Sequence, residues 1–313
     1  MQHPNGTLAE LKAHVRRQWA LLARQKLPLP EWQLMWKQAE AYGTAALSGA
    51  EVPGTFVPIP LQGSAAAVLA VPSDADSYPK VIDSLALLPL DETIVVAGRA
   101  SEPLLEAIRR NAEGALIAHY PFPLDGDVGR ALGAKLTGAD TVLFVDAAAS
   151  VPAETLGRFL WECDDGRLDV ALPDQSSPKR LFHKRPAVQR WHELLNVTLS
   201  RPDLKMNTMA ARPFALSRGA LDAIGYADLA VPVKAHALAL AKRLKVGVAV
   251  RMDATSPPTE GEASRLAAGD HIEAWGALMP SKGGRLGFSD RYRDRKAVGG
   301  VVNDAFLDSH SDE

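Results

Sequence analysis

Cysteine is almost absent from the sequence, because Cys163 is the one cysteine in 313 residues. A lone cysteine forms neither an internal disulfide nor a zinc site with cysteine spacing, so we expect a reducing compartment, with the cytoplasm as the default. An excess of one charge is absent too, since 35 Lys and Arg residues stand against 37 Asp and Glu residues. This balance argues against a nucleic-acid-binding protein and against a polybasic membrane anchor.

Long apolar runs and several well-known motifs are also missing. No stretch approaches the roughly 20 apolar residues of a transmembrane helix, and the first residues lack the apolar core of a signal peptide. The sequence contains no glycine-rich dinucleotide fingerprint, no phosphate-binding loop ending in Gly-Lys-Ser/Thr and no Gly-X-Ser-X-Gly elbow. We therefore expect a chain that stays in water and that is neither a common dinucleotide or ATP enzyme nor a serine hydrolase of the elbow type.

Apolar residues at helical spacing predict two amphipathic helices at the start of the chain. The first carries Leu8, Leu11, Val15, Trp19 and Leu22, and the second, opened by Pro30, carries Trp32, Met35, Trp36, Ala39 and Tyr42. We expect residues 1–54 to form a helical hairpin that caps the core of the main domain. A hairpin that binds a protein partner or a second copy of the chain, through Trp19, Trp32 and Trp36, is the alternative.

From residue 65 onward, short apolar runs alternate with helical stretches. The runs cover 66–71, 93–96, 115–119 and 141–145, and the helical patterns cover 79–88, 102–112 and 127–138. Buried strands separated by helices of about ten residues indicate βαβ units and a mainly parallel sheet. We therefore predict an α/β domain over residues 55–253, followed by a helical and basic extension and a polar tail over 254–313.

Four segments of this α/β region occur in an informative order. They are VLAVPSDAD at 68–76 with the helix after it, ETIVVAG at 92–98, GRALGA at 129–134 and ADTVLFVDAA at 139–148. Together they resemble the family 2 glycosyltransferases, which have the GT-A fold, and a weaker match continues through MAARPFALSR at 209–218. The resemblance implies a mainly parallel GT-A sheet flanked by helices. It also implies a nucleotide-diphosphate sugar as donor and an acceptor hydroxyl.

The same resemblance implies three donor-binding residues. Asp76 follows the first strand, Arg130 lies on the helix before the fourth strand, and Asp146 ends that strand. A turn residue is the alternative for Asp76, a surface salt bridge for Arg130, and a helix cap or turn for Asp146. The ends of parallel strands are where ligands bind in open α/β sheets, which favours a ligand role for Asp146.

The sequence departs from the family at the residues that bind metal and base. The second Asp of the Asp-X-Asp motif, which ligates a divalent cation in the family, is replaced by Ala148, and alanine cannot bind Mg²⁺ or Mn²⁺. The carboxylates expected after the second strand are replaced by Ala97 and its neighbours. We therefore expect no metal cofactor.

Cations near the end of the chain offer a substitute for the missing metal. Arg285, Arg291 and Arg293 follow a glycine-rich stretch, and guanidinium groups bind phosphate oxygens through two hydrogen bonds at once. We expect these residues at the donor diphosphate. An exposed helix with mixed charges is the alternative, because Asp290 and Asp294 are interleaved with them.

Asp270 and His271 are the candidates for activating the acceptor. A histidine beside carboxylates acts as a base near neutral pH, and both residues lie within one predicted helical turn. The alternative is a solvated helix start, where acids interact favourably with the helix dipole.

Two functions follow from these observations. The first is transfer of a sugar from a nucleotide-diphosphate sugar to an acceptor hydroxyl, without a metal held by Asp-X-Asp. The second is a catalytically inactive GT-A scaffold that serves as a binding or assembly module, which Ala148 and Ala97 favour.

Overall fold

The structure is a computed structural model, and it describes residues 8–25, 31–72, 78–147, 150–176, 182–252 and 261–288. The helices in these ranges are α1 (Leu8–Arg24), α2 (Trp32–Gly49), α3 (Tyr78–Ala86), α4 (Glu102–Asn111), α5 (Gly126–Lys135), α6 (Ala153–Asp164), α7 (Ala187–Thr198), α8 (Arg218–Ile224), α9 (Pro232–Ala241) and α10 (Gly261–Lys282). The strands are β1 (Ala65–Val71), β2 (Glu92–Gly98), β3 (Leu116–Tyr120), β4 (Thr141–Asp146), β5 (Val170–Asp174), β6 (Phe214–Ser217) and β7 (Val246–Arg251). Short 3₁₀ helices cover Phe182–Lys184, Pro202–Leu204 and Ala227–Ala230.

The strands form one mixed sheet in the order β3-β2-β1-β4-β6-β5-β7. β1 pairs parallel with β2 and β4, β2 pairs parallel with β3, and β5 pairs parallel with β7. β6 pairs antiparallel with both β4 and β5. Six strands therefore point one way, and β6 alone among these strands runs against them.

The two faces of the sheet bury alternate residues of the same strand. In β1, Ala65, Ala67 and Leu69 face the core that contains α2, α3, α4 and α6. Ala66 and Val68 face the opposite core, which contains α5, α8 and α9. Burial on both faces explains why β1 is a continuous apolar run rather than an alternating one.

Helix α5 packs unusually close to the sheet because it carries glycines where it faces β1. A Cβ at Gly133 would overlap Val68 of β1, and a Cβ at Gly129 would lie 3.3 Å from Ala70. Arg130 lies between these two glycines, on the part of α5 that approaches β1 closely.

The N-terminal hairpin packs on the main domain. Met35, Trp36 and Ala39 of α2 are buried in the same core as β1 and α6. Arg16 of α1 forms an ion pair of 2.7 Å with Asp91, just before β2. These contacts attach the hairpin to the core of the main domain.

Helix α10 packs on α7 and α9 rather than on the sheet. Its residues Ala274 and Leu278 are buried against Leu195 of α7 and against Val233 and Ala237 of α9. None of the helices in the described ranges has the length and apolar content needed to cross a membrane.

Candidate functional site

The carboxyl ends of the parallel strands meet at one edge of the sheet, and the chain changes direction there between β1 and β4. After β1 the chain continues to β2 on one side, whereas β4 lies on the other side of β1. Such a switch point opens a crevice in which α/β proteins bind ligands. Asp146, the last residue of β4, lies at this edge, opposite Ala70 of β1.

Arg212 faces Asp146 because of the antiparallel register of β4 and β6. Phe144 pairs with Phe214 at the end of the register; Asp146 lies two residues after Phe144, and Arg212 lies two residues before Phe214, where β6 begins. Their side chains form an ion pair, with Arg212 Nη1 3.0 Å from Asp146 Oδ2 and each side chain 25% exposed. A Cβ on Gly126, the first residue of α5, would lie 3.5 Å from Arg212 Nη1, so Arg212 also lies against the start of α5.

Arg130 reaches the same place from α5. Its side chain is buried at 2% exposure and pairs with Asp127, one helical turn before it. Burial and the nearby positive charge of Arg212 lower the pKa of Arg130 to about 9. The carboxylates of Asp146 and Asp125 oppose this shift. Arg130 therefore keeps its positive charge at neutral pH.

The start of α5 contributes further carboxylates. Asp125 caps the helix, since its Oδ1 accepts a hydrogen bond of 2.7 Å from the backbone N–H of Asp127. The site thus contains two arginines from different elements, each paired with a carboxylate. An anionic ligand can bind here if it replaces one of these carboxylates as the partner of an arginine.

Asp270 lies in the interior of α10, so the alternative of a helix start at this residue is wrong. Burial, Glu273 and Asp125 all raise the pKa of the Asp270 carboxyl. The carboxylate of Asp125, which caps α5, is thus one of the charges that act on Asp270. Asp270 also lines an open groove of about 1010 Å³ together with Gly261, Arg265, Leu266, Gly269 and Glu273.

His271 points to a different part of the molecule from Asp270. Its ring is buried between α7 and α10, stacked on His192 at a centroid distance of 5.1 Å and close to Trp275. Nδ1 donates a hydrogen bond of 2.6 Å to the carbonyl of Ala267. Burial lowers the pKa of His271, so the ring is neutral at pH 7.

Arg285, also expected at the donor, lies beyond the end of α10 instead. Arg285 lies in the turn after α10, where its Nε donates to the carbonyl of Phe288 and where Gly287 contacts Thr198. The helix between Asp270 and Lys282 alone spans about 18 Å at 1.5 Å per residue. Asp76, Arg291, Arg293 and Ala148 lie outside the described residues.

A second polar cluster lies at the carboxyl end of β5. Asp174 accepts hydrogen bonds from the side chain of Asn207 at 3.0 Å and from the backbone N–H of Ser176 at 2.9 Å. Burial alone would raise the pKa of Asp174, but these hydrogen bonds outweigh it and lower the pKa.

The Asn207 carbonyl connects this cluster to a buried amide–imidazole pair. Asn196 donates to the carbonyls of Lys205 and Asn207 at 2.9 and 3.0 Å. Its Oδ1 is then the acceptor for His236 Nε2 at 2.8 Å, which assigns the hydrogen to that nitrogen. Burial lowers the pKa of His236 to about 3.

Arg130 and Asp146 were named from the sequence as candidates and lie near each other in the structure, whereas Arg212 and Asp125 were not named. Arg212 lies within the 209–218 segment, and no feature of that segment singles it out. Its position becomes apparent once β6 is known to run antiparallel, because the start of a reversed strand lies at the edge where the parallel strands end.

The fold has counterparts among solved structures of glucosyl-3-phosphoglycerate synthase from Mycobacterium tuberculosis. Its complex with Mn²⁺, uridine diphosphate and glucosyl-3-phosphoglycerate is 15% identical at a TM-score of 0.51. Its complex with uridine diphosphate is 16% identical at 0.51, and a further crystal structure is 18% identical at 0.50. Each match covers 73% of this chain and 82% of the other.

No protein-family model and no curated protein matches the sequence. At these identities the structural likeness concerns the fold. It confirms the fold class expected from the sequence: an α/β protein with the GT-A glycosyltransferase fold.

Proposed function

We propose that this protein binds a nucleotide-diphosphate sugar at the carboxyl end of β4 and transfers the sugar to an acceptor hydroxyl. The observation that carries the proposal is the convergence of Asp146, Arg130 and Arg212 at the switch point of a GT-A sheet. Two guanidinium groups there supply the positive charge that a diphosphate needs. In this proposal Asp146 accepts hydrogen bonds from the ribose hydroxyls of the donor.

The chemistry needs a base on the acceptor side. In the transfer, a bond forms between the acceptor oxygen and the anomeric carbon, and the bond from that carbon to the diphosphate oxygen breaks. The diphosphate leaves with the bonding electrons, and the base takes the acceptor proton. Asp270 is our candidate, because it lines an open groove and because its raised pKa, to which Asp125 contributes, suits a proton acceptor. His271 is left out of this role because its ring is buried.

We also propose that donor binding needs no divalent cation. Asp146 is paired with Arg212 at 3.0 Å, and the position two residues beyond it is Ala148. Among residues 8–288, within the ranges that the structure describes, no group of three or more His, Cys, Asp and Glu side chains is arranged to hold a metal ion. Such a donor set does not fit Mg²⁺ or Mn²⁺, which take several oxygen ligands.

An inactive GT-A scaffold remains the second candidate, and the end of β2 favours it. The last two residues of that strand are Ala97 and Gly98, and a Cβ on Gly98 would lie 2.7 Å from the backbone of Leu124. No side chain can therefore extend from Gly98 towards a nucleobase. This leaves β2 without the carboxylate that the glycosyltransferase resemblance leads one to expect.

Calorimetric titration separates these candidates. The purified protein is titrated with UDP, GDP, TDP and their glucose or mannose conjugates, in EDTA and again with Mn²⁺, and free nucleotide is then measured after incubation with each conjugate. UDP and UDP-glucose come first, because the similar synthase structures were solved with UDP. Micromolar binding that survives EDTA, with slow release of nucleotide, supports the transferase. Binding to none of these compounds refutes donor binding, and binding without turnover in the presence of any acceptor favours the scaffold.

A further inference from the structure

The donor site contains two arginines, but they differ in what they can touch. The side chain of Arg130 is 2% exposed, whereas that of Arg212 is 25% exposed. A ligand in the crevice can therefore reach the guanidinium of Arg212 without any opening of the core. Arg130, which is buried, can act on such a ligand only through its electric field.

The partner of Arg212 is itself a residue of the proposed site. Asp146 holds Arg212 Nη1 at 3.0 Å, and both side chains are partly open to water. Ion pairs that are partly open to water contribute little to stability, so another anion can replace the carboxylate. A diphosphate carries more charge than a carboxylate and binds a guanidinium through two hydrogen bonds.

We propose that Arg212 neutralises the donor diphosphate in this protein, and that the Arg212–Asp146 ion pair opens when the diphosphate binds. The assignment rests on the proposed donor site. It gives Arg212 the task that a metal ion has in the glycosyltransferases that the sequence resembles. Asp146, released from the ion pair, is then available to the ribose.

This arrangement has an unusual consequence for Asp146. If Asp146 were a metal ligand, its replacement by Asn would weaken nucleotide binding. If Asp146 instead competes with the diphosphate for Arg212, then Asp146→Asn removes the competitor and keeps an oxygen for the ribose. Binding of a nucleoside diphosphate then becomes tighter.

The test is calorimetric titration in EDTA with UDP and GDP, and in parallel with uridine and guanosine, which lack the phosphates. We expect Arg212→Met to weaken nucleoside diphosphate binding by about tenfold or more, and Arg212→Lys to weaken it less, since lysine keeps the charge but not the fork. We expect Asp146→Asn to tighten it about two- to fivefold. Binding of the nucleosides should change in neither arginine variant.

Arg109→Met is the matched control. Arg109 also pairs with a carboxylate, Glu102, at 3.1 Å, but it lies exposed on α4. Its loss should leave nucleotide binding unchanged. Thermal melting of each variant verifies that it is folded, and Asp146→Asn decides the question even if Arg212→Met does not fold.

The outcomes distinguish failure of the proposed donor site from failure of the assignment of Arg212. Wild-type protein that binds no nucleoside diphosphate refutes the proposed function, and the assignment of Arg212 with it. Wild-type binding that is unchanged in Arg212→Met, or that is weakened in Asp146→Asn, overturns the assignment of Arg212 and leaves the donor site standing.

Discussion

Arg212 lies across the antiparallel β4–β6 pair from Asp146, with 3.0 Å between Nη1 and Oδ2. The register that creates this pair is fixed by Phe144 and Phe214, whose rings stack at 4.8 Å in the core. A shift of one residue would turn Phe214 out of the core and move Arg212 away from Asp146. The packing of two buried rings thus selects the ion pair at the edge of the sheet.

Replacement of Arg130 by Met should weaken nucleotide binding without lowering the stability of the protein. Burial lowers the pKa of Arg130 to about 9, so the folded state bears a cost for this charge. Removal of one member of a buried ion pair is costly when the other charge is left buried, but Asp127, at 30% exposure, keeps contact with water when Arg130 is lost. We therefore expect Arg130→Met to keep or raise the melting temperature and to weaken UDP or GDP binding about tenfold.

Thermal denaturation and calorimetry of the same sample check this prediction. A strong fall in melting temperature would contradict the prediction and would show that the Arg130 side chain stabilises the fold. Arg109→Met, an exposed arginine on α4, is the control and should change neither property.

Replacement of Gly133 by Ala should push α5 away from the sheet. The new Cβ would overlap Val68, and overpacking of a core costs about 1–3 kcal/mol. Because Arg130 is one turn earlier on α5, nucleotide binding should weaken as well. Gly138→Ala is the matched control, since its Cβ would meet no atom within 4 Å. Urea unfolding of both variants measures the difference, and equal stabilities would contradict the close packing.

The alternation of strands and helices was predictable because each apolar run is short and is bounded by turn residues. The runs expected at 66–71 and 141–145 became β1 (Ala65–Val71) and β4 (Thr141–Asp146). Their burial on both faces agrees with their almost continuous apolar sequences.

The arrangement of the site was less predictable, because it depends on pairings between distant segments. Asp146 was found because it ends an apolar strand. Arg212 was not, because nothing in its neighbours shows that β6 runs antiparallel to β4. The burial of His271 beside an exposed groove was equally hidden, since adjacent residues on a helix point about 100° apart.

The buried imidazole of His236 should make the protein sensitive to mild acid. Burial lowers the pKa of His236 from 6.5 to about 3, so below pH 6.5 the unfolded chain binds a proton that the folded protein does not. The free energy of unfolding then falls as the pH falls, by up to about 1.4 kcal/mol per pH unit for this group, until the pH reaches the folded pKa. Above pH 6.5 this contribution does not change.

His236→Gln tests this assignment, because glutamine can still donate a hydrogen bond to Asn196 Oδ1 but does not titrate. We expect its unfolding free energy, measured by urea denaturation between pH 7.5 and 4.5, to decline less steeply than that of the wild type. His183→Gln, at an exposed position, is the control and should follow the wild type. Identical slopes for His236→Gln and wild type would contradict the prediction.

Replacement of Asp270 should raise stability and abolish activity, whereas replacement of a purely structural carboxylate would lower stability. Burial, Glu273 and Asp125 raise its pKa above the ordinary value of 3.8, so the folded state binds the proton more tightly than the unfolded chain. Stability from this group is therefore greatest at low pH and falls as the pH rises from 3.8 through the folded pKa. At neutral pH, Asp270→Asn removes the repulsion, and we expect a gain of about 0.2–0.5 kcal/mol, the size of a like-charge pair on a helix.

If Asp270 is the acceptor base, the same change should abolish sugar transfer while UDP or GDP still binds, because the amide cannot take the acceptor proton. Wild-type transfer should fall with decreasing pH as Asp270 becomes protonated. Asp83→Asn, an exposed residue of α3, should alter neither stability nor transfer and serves as the control. If Asp270→Asn is stabilised but keeps full transfer activity, Asp270 is not the base, because the amide cannot take the acceptor proton. A destabilised Asp270→Asn protein would show that the carboxylate is instead a favourable contact of α10.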